Sequence, residues 1–115
     1  MKDGPVIAQV AALLGDPARA NMLTALMDGR ALTVTELAVA AGVPLPTASG
    51  HLSKLGLARL LVVERQGRNR YYRLADPDVA HVLEALMGLA SAIRIYSPLM
   101  AYRSRAAVAS SRRVT

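Results

Sequence analysis

Cysteine, tryptophan and phenylalanine are all missing from the 115-residue sequence. The absence of thiols excludes disulfides, thiolate metal sites and thiol redox switches, and fits a reducing cytosol. The aromatic share is 3%, all of it Tyr, although hydrophobic residues make up 53%. A core of Leu, Val, Ala, Met and Ile suits packed helices better than a sandwich of aromatic-rich strands. Acids are scarce too. Eight Asp and Glu stand against fourteen Lys and Arg, a formal net charge of +6. A small basic domain points to a polyanionic partner, nucleic acid or anionic lipid, unless the surplus is only a solvated face. Long apolar runs are absent as well. The stretch Val6 to Leu14 is broken by Gln9 and flanked by Asp3 and Asp16. It therefore makes a poor secretion signal, despite Ala18-Arg19-Ala20 downstream. Later apolar stretches carry His81, Glu84 and Arg94 and fall short of a membrane span. The expectation is one modest, cytoplasmic domain with no membrane partner.

What is present reads as a series of helices. Val6, Ile7, Val10, Ala11, Leu13 and Leu14 recur at helical spacing, and Gly15 ends that helix. Asp16 then caps a second helix with Pro17 in its first turn and Met22, Leu23, Leu26 and Met27 as its apolar stripe. After the turn Asp28-Gly29-Arg30, Thr33-Val34-Thr35-Glu36 forms a capping box, with Leu32 and Leu37 as the hydrophobic staple around it. This third helix stops at Gly42. A fourth follows almost at once, about Leu45 to Leu57, with Leu45, Ala48, Leu52 and Leu55 on its apolar face. Its opposite face carries Pro46, Thr47, Gly50, Ser53 and Lys54, with Ser49 and His51 on the flanks.

Leu60 to Val63 predicts a strand, Arg65 to Asn69 a turn, and Arg70 to Leu74 the returning strand of a basic hairpin. Asp76-Pro77-Asp78 opens a last long helix through Val79, Val82, Leu83, Leu86, Met87, Leu89 and Ala90. From about Arg94 the periodicity decays, and Arg103, Arg105, Arg112 and Arg113 lie among Ala and Ser without an acid. Residues 94–115 are expected to form a basic, flexible tail on a domain spanning 1–93.

Two short helices joined by a Gly-containing turn, then a basic hairpin, make a winged helix-turn-helix. A helix entering a major groove about 12 Å wide needs small or hydrogen-bonding outer side chains. Thr47, Gly50 and Ser53 meet that need, and Lys54 is placed for a phosphate. Gly50 in a helix interior costs about 1 kcal/mol relative to Ala. Close approach of the backbone to DNA would offset that loss; simple tolerance of the glycine is the alternative. Between Pro44 and Arg73 lie Lys54, Arg59, Arg65, Arg68, Arg70 and Arg73, against Glu64 alone. Nearly the whole positive surplus thus sits on the hairpin and its neighbouring helix, where arginines bind phosphates or enter a minor groove.

The same residues invite other chemistries. His51 stands between Ser49 and Ser53, but serines two positions away lie well round the helix. No carboxylate adjacent in sequence orients the imidazole as a triad requires, so His51 is expected to pack and hydrogen-bond, and the chain is expected not to be an enzyme. Asp78, His81 and Glu84 follow one another at three-residue spacing and form a thin metal candidate across a dimer. Ordinary roles at a helix start and in solvent are the expected alternative, and no cofactor is implied.

The segment Ser49-Gly50-His51-Leu52-Ser53-Lys54-Leu55, joined to Gly67-Arg68-Asn69-Arg70-Tyr71-Tyr72-Arg73-Leu74, resembles the ArsR/SmtB family of bacterial repressors. Leu14-Gly15-Asp16-Pro17-Ala18-Arg19 is similar to that family's entry into its second helix, and the resemblance covers about Val6 to Ala90. It implies a homodimer paired through the first and last helices, an operator of two-fold symmetry and repression relieved by an inducer. It also implies Ser49, Gly50 and His51 at the base-reading end and Arg68 and Arg70 in the wing. Where many family members carry thiolates, this chain has Leu37-Ala38-Val39-Ala40, and histidines or acids are missing near Gly88 to Ser91. Arsenite and soft metals are therefore not expected as inducers; a small organic molecule, a hard metal at His81, or no inducer at all is. Pro44 stands where a capping Ser is common.

The resulting expectation is a mainly α fold with a small β-hairpin, a winged helix-turn-helix that binds double-stranded DNA as a homodimer. The expected DNA-binding set is Thr47, Ser49, Gly50, His51, Ser53, Lys54, Arg65, Arg68, Asn69 and Arg70. The alternative is a winged-helix protein-interaction module that no longer binds DNA.

Overall fold

A computed structural model describes residues 3–96, and the expected tail lies outside them except for its first three positions. Eight elements follow one another: α1 (Asp3–Leu14), α2 (Pro17–Ala25), β1 (Leu32–Thr33), α3 (Val34–Ala41), α4 (Leu45–Leu57), β2 (Leu61–Gln66), β3 (Asn69–Leu74) and α5 (Pro77–Tyr96). None of the described helices is long and apolar enough to cross a membrane.

The starts of α2 and α3 follow from their caps. Asp16 Oδ2 accepts from the Arg19 N–H at 3.0 Å, with Pro17 at the first helical position, where its missing N–H leaves nothing unpaired. At α3, Thr33 Oγ1 accepts from Glu36 N at 3.2 Å, while Glu36 Oε1 accepts from Thr33 N at 2.9 Å. Each side chain thus satisfies a donor that the helix cannot.

Packing divides the chain into two units, one ending at Leu83 and one beginning at Glu84, so the division falls within α5. The first unit holds the core. Met22, Leu23 and Leu26 from α2 and its end meet Leu37 and Ala38 of α3, Ala48, Leu52 and Leu55 of α4, Leu61 and Leu74 of the hairpin, and Leu83. No aromatic residue belongs to this buried set; Tyr72 packs at its margin. Each fully buried Leu is worth about 1.5–3 kcal/mol of transfer free energy, so this aliphatic cluster supplies most of the driving force. The described part of the second unit continues the helix, with Leu86, Met87, Leu89 and Ile93 exposed along it.

The sheet departs from the expected hairpin in having a third strand. Its order is β1-β3-β2, with Leu32 opposite Tyr72 and Thr33 opposite Tyr71. Two residues are too short to announce a strand by alternation; β1 exists because it pairs with β3 and then turns directly into α3. Pairing between β2 and β3 also reaches nearer the tip than expected, through Arg65 opposite Arg70 to Gln66 opposite Asn69. Gly67, at φ +61°, leads a two-residue turn that lets the ladder run to its end. Two apolar expectations are corrected. Met27 is only partly buried, because α2 stops at Ala25. Leu45 is 47% exposed, because the first turn of α4 overhangs the core.

The helices flanking the turn to α4 and the turn to the hairpin end alike. At α3, Val43 N donates to Ala38 O at 3.1 Å and Gly42 N to Val39 O at 3.2 Å, with Gly42 at φ +67°. At α4, Leu60 N donates to Leu55 O and Arg59 N to Gly56 O, both at 3.0 Å, with Arg59 at φ +64°. Both are Schellman ends, which require a left-handed residue. Glycine adopts that conformation freely, whereas a residue with a Cβ pays a penalty. Arg59→Gly is therefore expected to raise stability by about 0.5–1 kcal/mol, read as a higher urea midpoint at unchanged slope.

Candidate nucleic-acid interface

Helix α4 is two-sided because three of its residues are committed to the core. Ala48, Leu52 and Leu55 are at most 1% exposed. At about 100° per residue, Ser49 falls on one flank, His51 on the other, and Thr47, Gly50, Ser53 and Lys54 towards the outer side. All of these except His51 are exposed. The entry to α4 is weakly specified: Pro44 takes the N-cap position with no side-chain hydrogen bond, as its chemistry requires. Tertiary packing, not capping, fixes this helix. A Cβ at Gly50 would meet nothing within 4 Å, so the packing of the described residues gives no reason for a glycine there.

The hairpin runs alongside. Strand alternation puts Val63 and Arg65 of β2 and Arg70 and Tyr72 of β3 on the same side as the buried Leu61 and Leu74. This side faces α4 across a cleft of about 610 Å³ bordered by Ser49, Ser53, Leu57, Val63, Arg70 and Tyr72. A neighbouring hollow of about 290 Å³ brings Ser49 together with Arg68, Asn69 and Arg70. Ser49 and Arg70 border both hollows, Ser53 only the first, and Arg68 and Asn69 only the second, while Thr47, Gly50, Lys54 and Arg65 border neither. Arg65 stands directly opposite Arg70 in the strand register. Sequence reasoning missed Leu57, 84% exposed at the end of α4, and Tyr72. The alternation of β3 was a usable signal for Tyr72; for Leu57 nothing in the helical pattern stood out.

Charge is distributed unevenly over the two faces of the hairpin. Glu64 is paired with Arg73, its Oε1 accepting from Nη2 at 2.6 Å and from Nε at 3.0 Å. Both residues lie on the face opposite Arg65 and Arg70. Arg73 is thus neutralised, which removes it from the cationic set counted in the sequence. Among the described residues, Lys54, Arg65, Arg68 and Arg70 take part in no ion pair. Like charges directly opposite on a ladder destabilise it, so Arg65 and Arg70 together are an unrelieved cost in the free protein.

His51 does not join this face. Its side chain is 16% exposed and turns towards α2. There Arg19 Nη1 lies 3.0 Å from Nδ1, and Asp16 Oδ2 lies 3.7 Å from Nε2. His51 thus packs and hydrogen-bonds away from the groove, whereas the base-reading expectation places it at the DNA-facing end. A carboxylate does face the imidazole, from a residue 35 positions earlier in the chain, where local spacing gave no sign of it. Ser49 and Ser53 lie on other sides of α4, so neither serine is aligned with that pair. His81 Nδ1 is 3.8 Å from Asp78 Oδ1, both highly exposed, and among the described residues no group of three His, Asp or Glu gathers as a metal site.

Comparison with known proteins converges on one assignment. Residues 14–64 match a helix-turn-helix domain. An HTH-type transcriptional regulator of Bacillus subtilis, YdfF, is 48% identical over 93 residues, 81% of this chain and 41% of its own length. The chain therefore spans less than half of that relative. The regulator CmtR of Mycobacterium tuberculosis is 34% identical over 85% of this chain and 82% of its own. The chain belongs to the ArsR/SmtB family of winged helix-turn-helix transcriptional regulators. A homodimeric winged helix-turn-helix DNA-binding domain from Mycobacterium bovis, described as a possible ArsR-family regulator, superimposes with a TM-score of 0.70 at 29% identity. That match covers 80% of this chain and 84% of the other.

Within this family member the junction before α2 carries a titrating cap. The Asp16 carboxyl is held below its ordinary range chiefly by the Arg19 backbone N–H; partial desolvation opposes this, and the facing His51 and then the Arg19 charge reinforce it. A carboxyl with a lowered folded-state pKa stabilises the fold above its unfolded pKa, and that contribution is lost as pH falls through the folded value. Asn caps a helix about as well but does not titrate. Asp16→Asn is therefore expected to be less stable than the native chain at neutral pH. The gap should close through and below the ordinary carboxylate range, as thermal unfolding over a pH series would show.

Proposed function

We propose that this chain is a sequence-specific double-stranded DNA-binding regulator, acting as a repressor. The observation that carries this is the set of cations without an ion pair on the hairpin, Arg68 and Arg70 beside Ser49 of α4 and Arg65 opposite Arg70, with the hairpin's one acid turned away. A polyanion in the groove would relieve the repulsion between Arg65 and Arg70, as phosphates do. In this proposal Thr47, Ser49, Gly50 and Ser53 face base edges, Lys54, Arg65, Arg68 and Arg70 neutralise phosphates or enter the minor groove, and Asn69 donates beside them. His51 supports the helix instead of reading DNA. The open space over Gly50 fits a backbone brought close to the duplex.

The same proposal makes the chain a homodimer. On α1, Val6 and Ile7 are 57% and 65% exposed. On α5, Val82, Leu86, Leu89 and Ile93 recur at four-, three- and four-residue spacing and are each at least 40% exposed. Stripes of this kind are what a second copy would cover. Two-fold symmetry would then set the two α4 helices in successive major grooves, about 34–36 Å apart, on a palindromic operator. The chain has no cysteine, so its inducer is not a thiophilic metal. A protein-interaction module would show the same fold but would not need Arg65, Arg68 and Arg70 left without partners.

Selection of bound fragments from a random duplex pool tests the assignment, and failure to enrich any sequence would favour the interaction module. On the selected duplex, Lys54→Ala or Arg68→Ala is expected to weaken binding to all sequences and to lower the salt slope by about one. Thr47→Ala or Ser49→Ala is expected to change the preferred sequence with the slope intact. Gly50→Ala separates folding from function: stability should rise by about 1 kcal/mol while affinity falls. Paired urea and gel-shift titrations measure both.

A further inference from the structure

Arg19 joins three helices. Its Nε donates to Leu13 O at 2.7 Å and its Nη2 to Ala12 O at 3.3 Å, capping two carbonyls at the end of α1. Its backbone N–H holds the Asp16 cap of α2. Its Nη1 then reaches His51 Nδ1 on α4, 32 residues away, at 3.0 Å. A guanidinium has only donors, so His51 Nδ1 must accept, and the ring proton must reside on Nε2. That nitrogen faces Asp16 Oδ2 at 3.7 Å. Among the described residues, Arg19 and Asp16 are the charged groups within hydrogen-bond or ion-pair distance of the ring. The α1 partners of the guanidinium are the backbone carbonyls of Leu13 and Ala12, and the buried neighbours of His51 on α4 are the apolar Ala48, Leu52 and Leu55.

We propose that Arg19 and His51 are positioning residues for DNA reading: Arg19 holds His51 as the neutral, Nε2-protonated tautomer, and this bond ties the recognition helix to the α1–α2 junction. Protonation of His51 places a second N–H against the guanidinium. The bond to Arg19 is then lost, and the ring is drawn instead towards Asp16. Helix α4 has no side-chain cap at its start, so this tie is a polar restraint added to the apolar packing that seats the helix. Protonating His51 therefore removes one restraint on α4 and weakens DNA binding. This direction opposes the usual trend, in which added positive charge tightens binding to phosphate.

The inference rests on α4 being the DNA-reading helix, but its first test does not involve DNA. The imidazole nitrogen spectrum of the native chain at neutral pH is expected to show an unprotonated Nδ1 and a protonated Nε2 for His51. An Nδ1–H tautomer or a cation there would overturn the proposal whatever the chain binds. The second test is a pH series of binding to the duplex recovered from selection. The native chain should bind about tenfold more weakly once His51 is protonated, the loss corresponding to one charge-assisted hydrogen bond. In His51→Asn an amide oxygen near the Nδ1 position still accepts from Arg19 but cannot titrate. This variant should keep neutral-pH affinity and lose the acid sensitivity, whereas His51→Leu should be weak at every pH. Native acid sensitivity persisting in His51→Asn, or native binding that tightens on acidification, would overturn the assignment.

Discussion

The structure depends on one helix being held from a single side. Ala48, Leu52 and Leu55 are sealed against α2, α3 and the hairpin, and this contact decides which residues of α4 are left for anything else. Removing one of these leucines would cost about 2–5 kcal/mol, a large part of the stability of a domain this size. The core contact is therefore far stronger than the caps and ion pairs around it. It also explains how α4 manages with proline at its N-cap and glycine in its middle: intrinsic helix preference is overridden by burial. The outer side chains are free to be small because they contribute little to folding.

Against that packed side, the electrostatics of the groove run the other way. The free protein gains nothing from Arg65 and Arg70 standing opposite one another, and Glu64, the nearest acid in sequence, is spent on Arg73 across the sheet. Stability and the proposed function thus pull apart at this point, as they do at Gly50. Such local conflicts are where function is expected to show in a sequence that is otherwise consistent with its fold. Arg59 differs. Its left-handed backbone is a cost that no neighbour among the described residues explains.

Local chemistry made much of this legible in advance. The capping box at Thr33 and Glu36, the Asp16-Pro17 start and the Gly42 stop are each complete within five residues, so sequence alone specifies them. The hairpin was equally legible, although its turn proved tighter because Gly67 allows pairing up to the tip. What escaped depended on distant partners. Strand β1 is two residues long and exists through Tyr71 and Tyr72, almost forty positions later. The inward turn of His51 depends on Arg19 and Asp16, and periodicity alone placed it merely on a flank. The neutralisation of Arg73 by Glu64 needed the strand register before it could be seen. Composition counted the charges correctly; only topology sorted them by face.

A helix buried on one side and left open on the other is a geometric claim, and mapping backbone amide shifts of the folded chain during titration with the selected duplex tests it most directly. The account predicts perturbations clustered at Thr47 to Lys54 and Arg65 to Arg70, with the amides of Met22, Leu23 and Leu37 barely moved. Perturbations confined to α1 or α5, or none at the hairpin arginines, would contradict it.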